Sequence, residues 1–428
     1  MNSIGKKCVL SARLPPSSQM KATIEQTLGK PFTVINSSDL MDWPDSDNRD
    51  CNMLIASDSK DLMDIYCPQL GSFVVAIDGT FINQSSLLND MLCKNQIIRR
   101  RSSEEILANL ILQQATEEKS WPGIIKDILS TFPGGYSIII MAKNRIYGAR
   151  DCYGVKPLVL GILSDMNSVI EYDVIGGKPV VKPKSPNVLA SDSLILNKIN
   201  ATYSRQVLPG EIIEISDNGL KSLGICYRLT GDATSLCSME YVSLSLPEML
   251  LEDQIVQNVH YKLGQSLAFG SLDVPDFVCS IPSLSQAFVY GFAEASKLPI
   301  NEAFYHMSVS AEMAMLNVYK ENVIGKTIAL VVDSPLNRDL NLAILLLKKS
   351  GVKEIHLRFC CPPIVTNCPF GIDVKSNEID FSDVTSIRYL RLEVLSNIIS
   401  KNIEGKEVGN IGHCFHCFGG SHAMLKSA

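Results

Sequence analysis

No uncharged apolar run in this chain approaches the ~20 residues that a membrane-crossing helix needs, so a bilayer-spanning protein is not expected. A secretory h-region is missing too. Residues Met1 to Lys21 carry Lys6, Lys7, Arg13 and Lys21 and no acid, which faintly resembles a mitochondrial presequence, but Pro15-Pro16 interrupts any amphipathic helix there. Internal repeats are absent. Neither charge sign dominates: a net charge of −6 gives no general attraction for nucleic acid or an acidic membrane. Arg99-Arg100-Arg101 is the only dense basic cluster, and a run so short reads as a solvated loop. The expected compartment is the cytoplasm, where thiols stay reduced. Thirteen cysteines, an odd number, then argue against a disulfide framework and leave packing, reactivity or metal binding. Cys93, Cys226 and Cys279 sit in apolar surroundings and read as small core residues.

What is present is ordinary globular material: 46% apolar and 20% charged residues over 428 positions, enough for two or three domains. Residues 1–66 are irregular and polar. Residues 67–232 are strand-rich with a few helices, an α+β layered pattern. There Ser72–Ile77, the turn Asp78-Gly79 and Thr80–Ile82 read as a β-hairpin. A helix is expected over Ser103–Gln114 with Ser103 as N-cap and Glu104 and Glu105 in its first turn. Strands are expected at Tyr136–Met141, Arg145–Gly148 and Gly210–Ile215, the last followed by a turn at Asn218-Gly219. Residues 233–400 change rhythm to strand–helix–strand, a parallel α/β unit. Its helices are Pro247–Leu267, Ser285–Ser296 and Asp339–Lys349, and its strands Asp276–Ile281, Ile328–Val332 and Glu354–Phe359. The tail, 401–428, is rich in Gly, His and Cys.

Several segments carry a resemblance. They are Ala149-Arg-Asp-Cys-Tyr-Gly-Val-Lys-Pro157, Ala190-Ser-Asp-Ser193, Val207-Leu-Pro-Gly-Glu-Ile212, Cys237-Ser-Met-Glu-Tyr241, Glu252-Asp-Gln-Ile255, Gly351–His356, Pro362-Pro-Ile364, Cys368–Asp373 and Gly412-His-Cys-Phe-His-Cys417. In this order they resemble the amidophosphoribosyltransferases, which commit phosphoribosyl pyrophosphate to purine synthesis, with wording closest to animal members. The resemblance implies an α+β N-terminal-nucleophile (glutaminase-like) domain followed by an α/β phosphoribosyltransferase-like domain. The 1–66 stretch would be a divergent part of the glutaminase-like domain.

Each implied site departs from the family pattern. A glutaminase of this kind needs a free N-terminal cysteine whose amine acts as base. Cys8 is the one candidate, exposed if a short propeptide is removed, but Val9 stands where the family has Gly, and no His-x-Arg-Tyr stretch follows. The family's oxyanion-hole Asn-Gly reads Asp78-Gly79. An acceptor-only carboxylate there repels a developing oxyanion, where losing one donor alone costs about 10²–10³ in rate. The family's Ser-Asp reads Ser102-Ser103.

A phosphoribosyl pyrophosphate site needs two acids at a strand end and a Gly/Thr-rich loop whose N–H groups cradle phosphate at a helix start. The matching stretch is Val332-Asp-Ser-Pro-Leu-Asn-Arg-Asp-Leu340. Asp333 and Ser334 remain as remnants. Val332 replaces the first acid, Pro335 lacks an N–H, and Asp339 is expected to cap its own helix where a phosphate would dock. Ser283 stands where the pyrophosphate loop has an acid. The lid after Phe304-Tyr-His306 is shortened, and Mg²⁺ is expected only if the substrate still binds.

Four cysteines match. Cys237, Cys368, Cys414 and Cys417 fall where the cluster-bearing branch of the family places its [4Fe–4S] ligands, and a Cys-x-x-Cys pair turns two thiolates toward one metal centre. Zinc accepts the same four, and His413 and His416 keep it open as an alternative. The resemblance thus implies an inactive homologue, an iron–sulfur-stapled scaffold or regulatory partner. It would act as a homo-oligomer or with an active amidophosphoribosyltransferase. A weakly active enzyme and an iron- or oxygen-responsive protein are the alternatives.

Overall fold

The computed structural model describes residues 9–14, 33–36, 52–57, 62–163, 170–175, 178–183, 187–216, 218–226, 234–270, 274–282, 286–310, 313–371, 379–400, 412–420 and 422. Contacts divide the chain into a unit of Gly5–Leu236 with Pro369–Gly371, and a unit built on Cys237–Cys368 and Ile372–Ala428.

The first unit carries β1 (Val9–Leu14), β2 (Thr33–Asn36), β3 (Asn52–Ser57), β4 (Met63–Cys67) and β5 (Gly71–Phe81). Helices α1 (Gln84–Cys93), α2 (Ser103–Gln114) and α3 (Trp121–Thr131) follow, then β6 (Gly134–Ala142), β7 (Arg145–Arg150) and β8 (Val159–Leu163). A separate ribbon, β9 (Ile170–Ile175) with β10 (Lys178–Pro183), precedes β11 (Asn187–Ala190). Helix α4 (Ser193–Lys198), β12 (Ala201–Gln206), β13 (Glu211–Ser216) and β14 (Gly219–Ile225) complete it.

Two six-stranded sheets result, ordered β12-β8-β11-β1-β3-β2 and β14-β13-β7-β6-β5-β4. Alternation on β5 explains the layering, because successive side chains of a strand face opposite ways. Val74 and Ala76 join Ile139, Ile213, Leu160 and Leu189 in a core shared by both sheets. Phe73, Val75 and Ile77 face the other way, against Ile106, Leu110, Ile124 and Ile128 of α2 and α3. The polar 1–66 stretch therefore supplies strands, three of them in the first sheet.

Some expectations are corrected. Asp78-Gly79 is no hairpin turn: β5 runs unbroken through it, with Asp78 opposite Ser137 and Gly79 opposite Tyr136. Gly79 takes φ +107, and a Cβ there would stand 2.0 Å from Gly135 O, so the glycine serves close strand packing rather than a turn. The α2 cap is Ser102, whose hydroxyl accepts Glu105 N–H at 3.3 Å. Cys93 is exposed, because α1 buries only Met91 against the core.

The second unit opens with β15 (Leu236–Cys237), a π-helical turn at Glu240–Leu244, β16 (Leu250–Leu251) and β17 (Gln254–Ile255). Helix α5 (Val256–Ala268), β18 (Phe277–Cys279), α6 (Ala287–Ser296), the hairpin β19 (Phe304–Ser310)/β20 (Met313–Val318) and α7 (Lys320–Val323) come next. Then follow β21 (Thr327–Val332), α8 (Leu340–Lys349), β22 (Glu354–Phe359), β23 (Ser386–Tyr389), α9 (Leu392–Ser400) and β24 (His413–Cys414). The sheet β18-β21-β22-β23 is parallel throughout, as strand–helix–strand spacing requires. The helix expected from Pro247 begins only at Val256. Glu252 and Asp253, at φ 47 and 63, turn the preceding residues back as β16/β17. Among the described residues no helix is long and apolar enough to cross a membrane.

Candidate functional site

In the first unit the expected glutaminase residues are accounted for in part. Cys8 lies outside the described residues. Asp78 is fully buried, and Lys156 Nζ, itself buried, stands 3.8 Å from Asp78 Oδ1. A cation from the Ala149–Pro157 stretch thus balances the carboxylate. Sequence reasoning missed this partner because the two positions are far apart along the chain.

The same stretch stitches its own turn. Arg150 donates to the carbonyls of Lys156, Val207 and Gly154 at 2.5, 3.0 and 2.7 Å. Asp151 accepts the N–H groups of Tyr153 and Val155 at 2.9 and 2.8 Å. Burial raises the Asp151 carboxyl from its ordinary 3.8 to about 6, outweighing Arg150 and the backbone donors. Its favourable contribution is therefore complete below the unfolded value and is lost as pH rises through about 6. Urea unfolding midpoints should fall by the equivalent of about 2–3 kcal/mol between pH 4 and pH 7 from this group alone. In Asp151→Asn that slope should flatten; an unchanged slope would place the titration elsewhere.

The arginine cluster has a role in its backbone. The N–H groups of Arg99, Arg100 and Arg101 donate to the Glu105 carboxylate at 2.6, 2.6 and 3.0 Å. With Ser102 accepting from Glu105 N–H, this is a widened capping box, and the signal was legible as Ser102-x-x-Glu105. The resulting anion nest holds the chain's own carboxylate. Glu105→Ala should destabilise by about 1–3 kcal/mol, since three N–H groups lose a shared charged acceptor; a chemical-denaturation shift under about 0.5 kcal/mol would contradict the assignment.

In the second unit, Asp333 and Ser334 lie just past β21. The loop uses its donors internally. Asn337 N–H bonds Ser334 O at 3.2 Å and Leu340 N–H bonds Asn337 O at 3.3 Å. Leu336 N–H bonds Ser334 Oγ at 3.3 Å, and Asp339 N–H bonds Asn337 Oδ1 at 3.1 Å. Asn337 Nδ2 closes the loop onto Asp333 Oδ1 at 3.0 Å. Burial raises the Asp333 carboxyl, against the pull of Asn337 and Ser334. The expected capping by Asp339 does not occur: its backbone is helical (φ −89, ψ −1) rather than the extended form a capping residue takes, and its side chain makes no cap bond. Ser283 lies outside the described residues. The shortened lid region is the hairpin β19/β20.

The four cysteines converge within this unit. β15 pairs with β24, and Ser238 donates through both N–H and Oγ to Cys414 O, at 3.1 and 2.6 Å. Val365 N–H bonds Cys417 O at 2.8 Å, bringing in the segment that leads to Cys368. Cys237, Cys414 and Cys417 are buried and Cys368 half-buried. Burial pushes the Cys414 thiol up to about 12, with Cys368 and Cys417 adding to the rise. It also raises Cys417, which feels Cys237 and Cys368. Among the described residues no three His, Cys, Asp or Glu donors are drawn to metal-holding geometry. By donor chemistry alone, four thiolates are the set that an iron–sulfur cluster or zinc takes. His413 is committed elsewhere: its Nε2 pairs with Glu252 Oε2 at 2.8 Å, and Tyr241 OH bonds the same carboxylate at 2.9 Å.

Comparison with known proteins agrees with this architecture. Residues 53–170 match the glutamine amidotransferase domain family. The mouse amidophosphoribosyltransferase is 29% identical over 407 residues, spanning 83% of this chain and 77% of that protein. The Bacillus subtilis amidophosphoribosyltransferase is 27% identical, over 82% and 74%. Over most of its length the chain is thus similar to the amidophosphoribosyltransferases. A solved structure described as the allosteric regulatory enzyme of purine biosynthesis covers 97% of this chain and 96% of its own, at TM-score 0.77 and 21% identity. The B. subtilis glutamine phosphoribosylpyrophosphate amidotransferase complexed with ADP and GMP covers 97% of each chain, at TM-score 0.73 and 22% identity. Both share the fold, an N-terminal-nucleophile glutaminase domain plus a phosphoribosyltransferase-like domain.

Proposed function

We propose that this chain is a non-catalytic amidophosphoribosyltransferase relative: a scaffold or regulatory subunit of purine biosynthesis that holds a metal centre on Cys237, Cys368, Cys414 and Cys417. The observation that carries this reading is the loop at the end of β21. Pro335 has no N–H, and those of Leu336, Asn337, Asp339 and Leu340 are donated within the loop. A phosphate group finds that cradle already filled. Asp78, buried with Lys156, supports the same reading for the glutaminase half, since neither member is an amide donor.

When bound, a [4Fe–4S] cluster or zinc would supply positive charge that turns the four thiols into ligating thiolates, tying the tail to the α/β unit. The chain's own part is to deliver them. Ser238 holds the Cys414 segment, Val365 the Cys417 segment, and Glu252 keeps His413 out of the donor set. A scaffold of this kind pairs with a second copy or with an active amidophosphoribosyltransferase subunit.

The test is an assay of the full chain, purified without oxygen, with phosphoribosyl pyrophosphate and either glutamine or ammonia. No phosphoribosylamine is expected, and no calorimetric heat from phosphoribosyl pyrophosphate with Mg²⁺ at millimolar concentration. Product formation, or binding abolished by Asp333→Asn, would instead establish a weakly active enzyme.

A further inference from the structure

Cys152 and Cys226 lie apart from the four metal-ligand candidates, and their thiols are within hydrogen-bonding reach of each other. Consecutive residues of α3 frame them. Cys226 Sγ is 3.2 Å from Ser130 Oγ, and Cys152 Sγ is 3.5 Å from Leu129 O. Backbone bonds hold the two segments in the same register: Gly210 N–H bonds Asp151 O at 3.0 Å, and Cys226 N–H bonds Gly210 O at 2.8 Å. Cys226 is buried and Cys152 partly exposed, so a small solute reaches the pair from the Cys152 side.

Contact with the Cys152 side chain outweighs burial, and Ser130 and Lys126 add to it, lowering Cys226 from 9.0 to about 6 against the opposing charge of Asp127. Tyr136, whose hydroxyl donates to Phe132 O, is the other titratable group beside them. Cys279 has burial alone and rises to about 12. A thiolate with a neighbouring thiol is the arrangement of a reactive pair, not of packing.

We propose that Cys152 and Cys226 form a reversible dithiol–disulfide pair, closed by hydrogen peroxide and opened by a thiol reductant. The Cys226 thiolate attacks one peroxide oxygen and the O–O bond breaks. This leaves a sulfenic acid, and the departing hydroxide takes a proton to become water. The Cys152 sulfur then attacks the Cys226 sulfur, the S–S bond forms and the S–O bond breaks. The Cys152 proton leaves with that hydroxide as a second water. Two thiols lose two electrons in all, and one peroxide is reduced to two waters. The closed bond ties the Asp151–Gly154 turn, just before Lys156, to the end of β14.

The full chain, as purified, is treated with a few equivalents of hydrogen peroxide and mapped by peptide mass spectrometry, which separates oxidation at Cys237, Cys368, Cys414 and Cys417. The expected result is a Cys152–Cys226 linked peptide, two hydrogens lighter than its parts and removed by dithiothreitol. Alkylation of Cys226 in untreated protein should show a midpoint near pH 6, with exposed Cys93 followed alongside as the control. Cys152→Ser should stop at a Cys226 sulfenic acid that dimedone traps. Absence of the linked peptide, or a Cys226 midpoint matching that of Cys93, would overturn the proposal.

Discussion

Cys417→Ser is expected to abolish metal binding at the proposed four-cysteine centre and to lower the thermal midpoint of metal-loaded protein by about 10 °C. Burial raises Cys417 well above an ordinary thiol and takes Cys414 to about 12, so without a metal these sulfurs keep their protons. Metal binding must displace those protons, and its free energy then becomes stability of the segments it joins. A serine hydroxyl is a far poorer ligand for iron or zinc. Losing one ligand should cost on the order of 3 kcal/mol or more, which corresponds to the stated shift for a unit of this size. Iron, sulfide and zinc analysis beside calorimetry reads both effects, with Cys93→Ser as the exposed control. Unchanged metal content and midpoint would remove these cysteines from the proposal.

Gly291→Ala will destabilise the second unit by about 3 kcal/mol, an unusually large effect for one methyl group. Helices α5 and α6 approach backbone to backbone through a reciprocal pair of glycines. A Cβ on Gly291 would stand 2.0 Å from Tyr261 O, and one on Gly264 would stand 2.1 Å from Phe288 O. Neither neighbour is a flexible side-chain tip, so the helices must separate. That opens packing around Leu263, Phe288 and Phe292, all buried, and overpacking of this kind typically costs 1–3 kcal/mol. On an exposed helix face the same change would stabilise by removing glycine's entropy cost. The sign of the shift in urea unfolding therefore decides between close contact and slack.

How much of this could be read from sequence varies with the range of the signal. The α2 bounds, the parallel strands β21 and β22 and the turn before β14 came from local periodicity and turn residues, and the structure has them. The β5 hairpin reading failed because Asp-Gly is a turn signal only where both flanks can reverse. Here unbroken pairing with β6 from Phe73 to Phe81 keeps the strand straight through Asp78-Gly79. The sheet strands in 9–57 were hidden because their polar residues mask any alternation. At the site, Asp78, Asp333 and Ser334 could be named from their motif, but their partners Lys156 and Asn337 could not. The Asn337 amide accepts the Asp339 N–H and donates to Asp333, contacts that no local pattern signals.

That amide acts as a tethered competitor. Because it belongs to the loop it occupies, its effective concentration is fixed and independent of anything in solution. A ligand for the β21 loop binds only the fraction of molecules in which Asn337 has swung away. If closure is worth about 1.4 kcal/mol, every apparent dissociation constant there is weakened about tenfold. Raising the ligand concentration can offset that handicap, but only removing the side chain would abolish it.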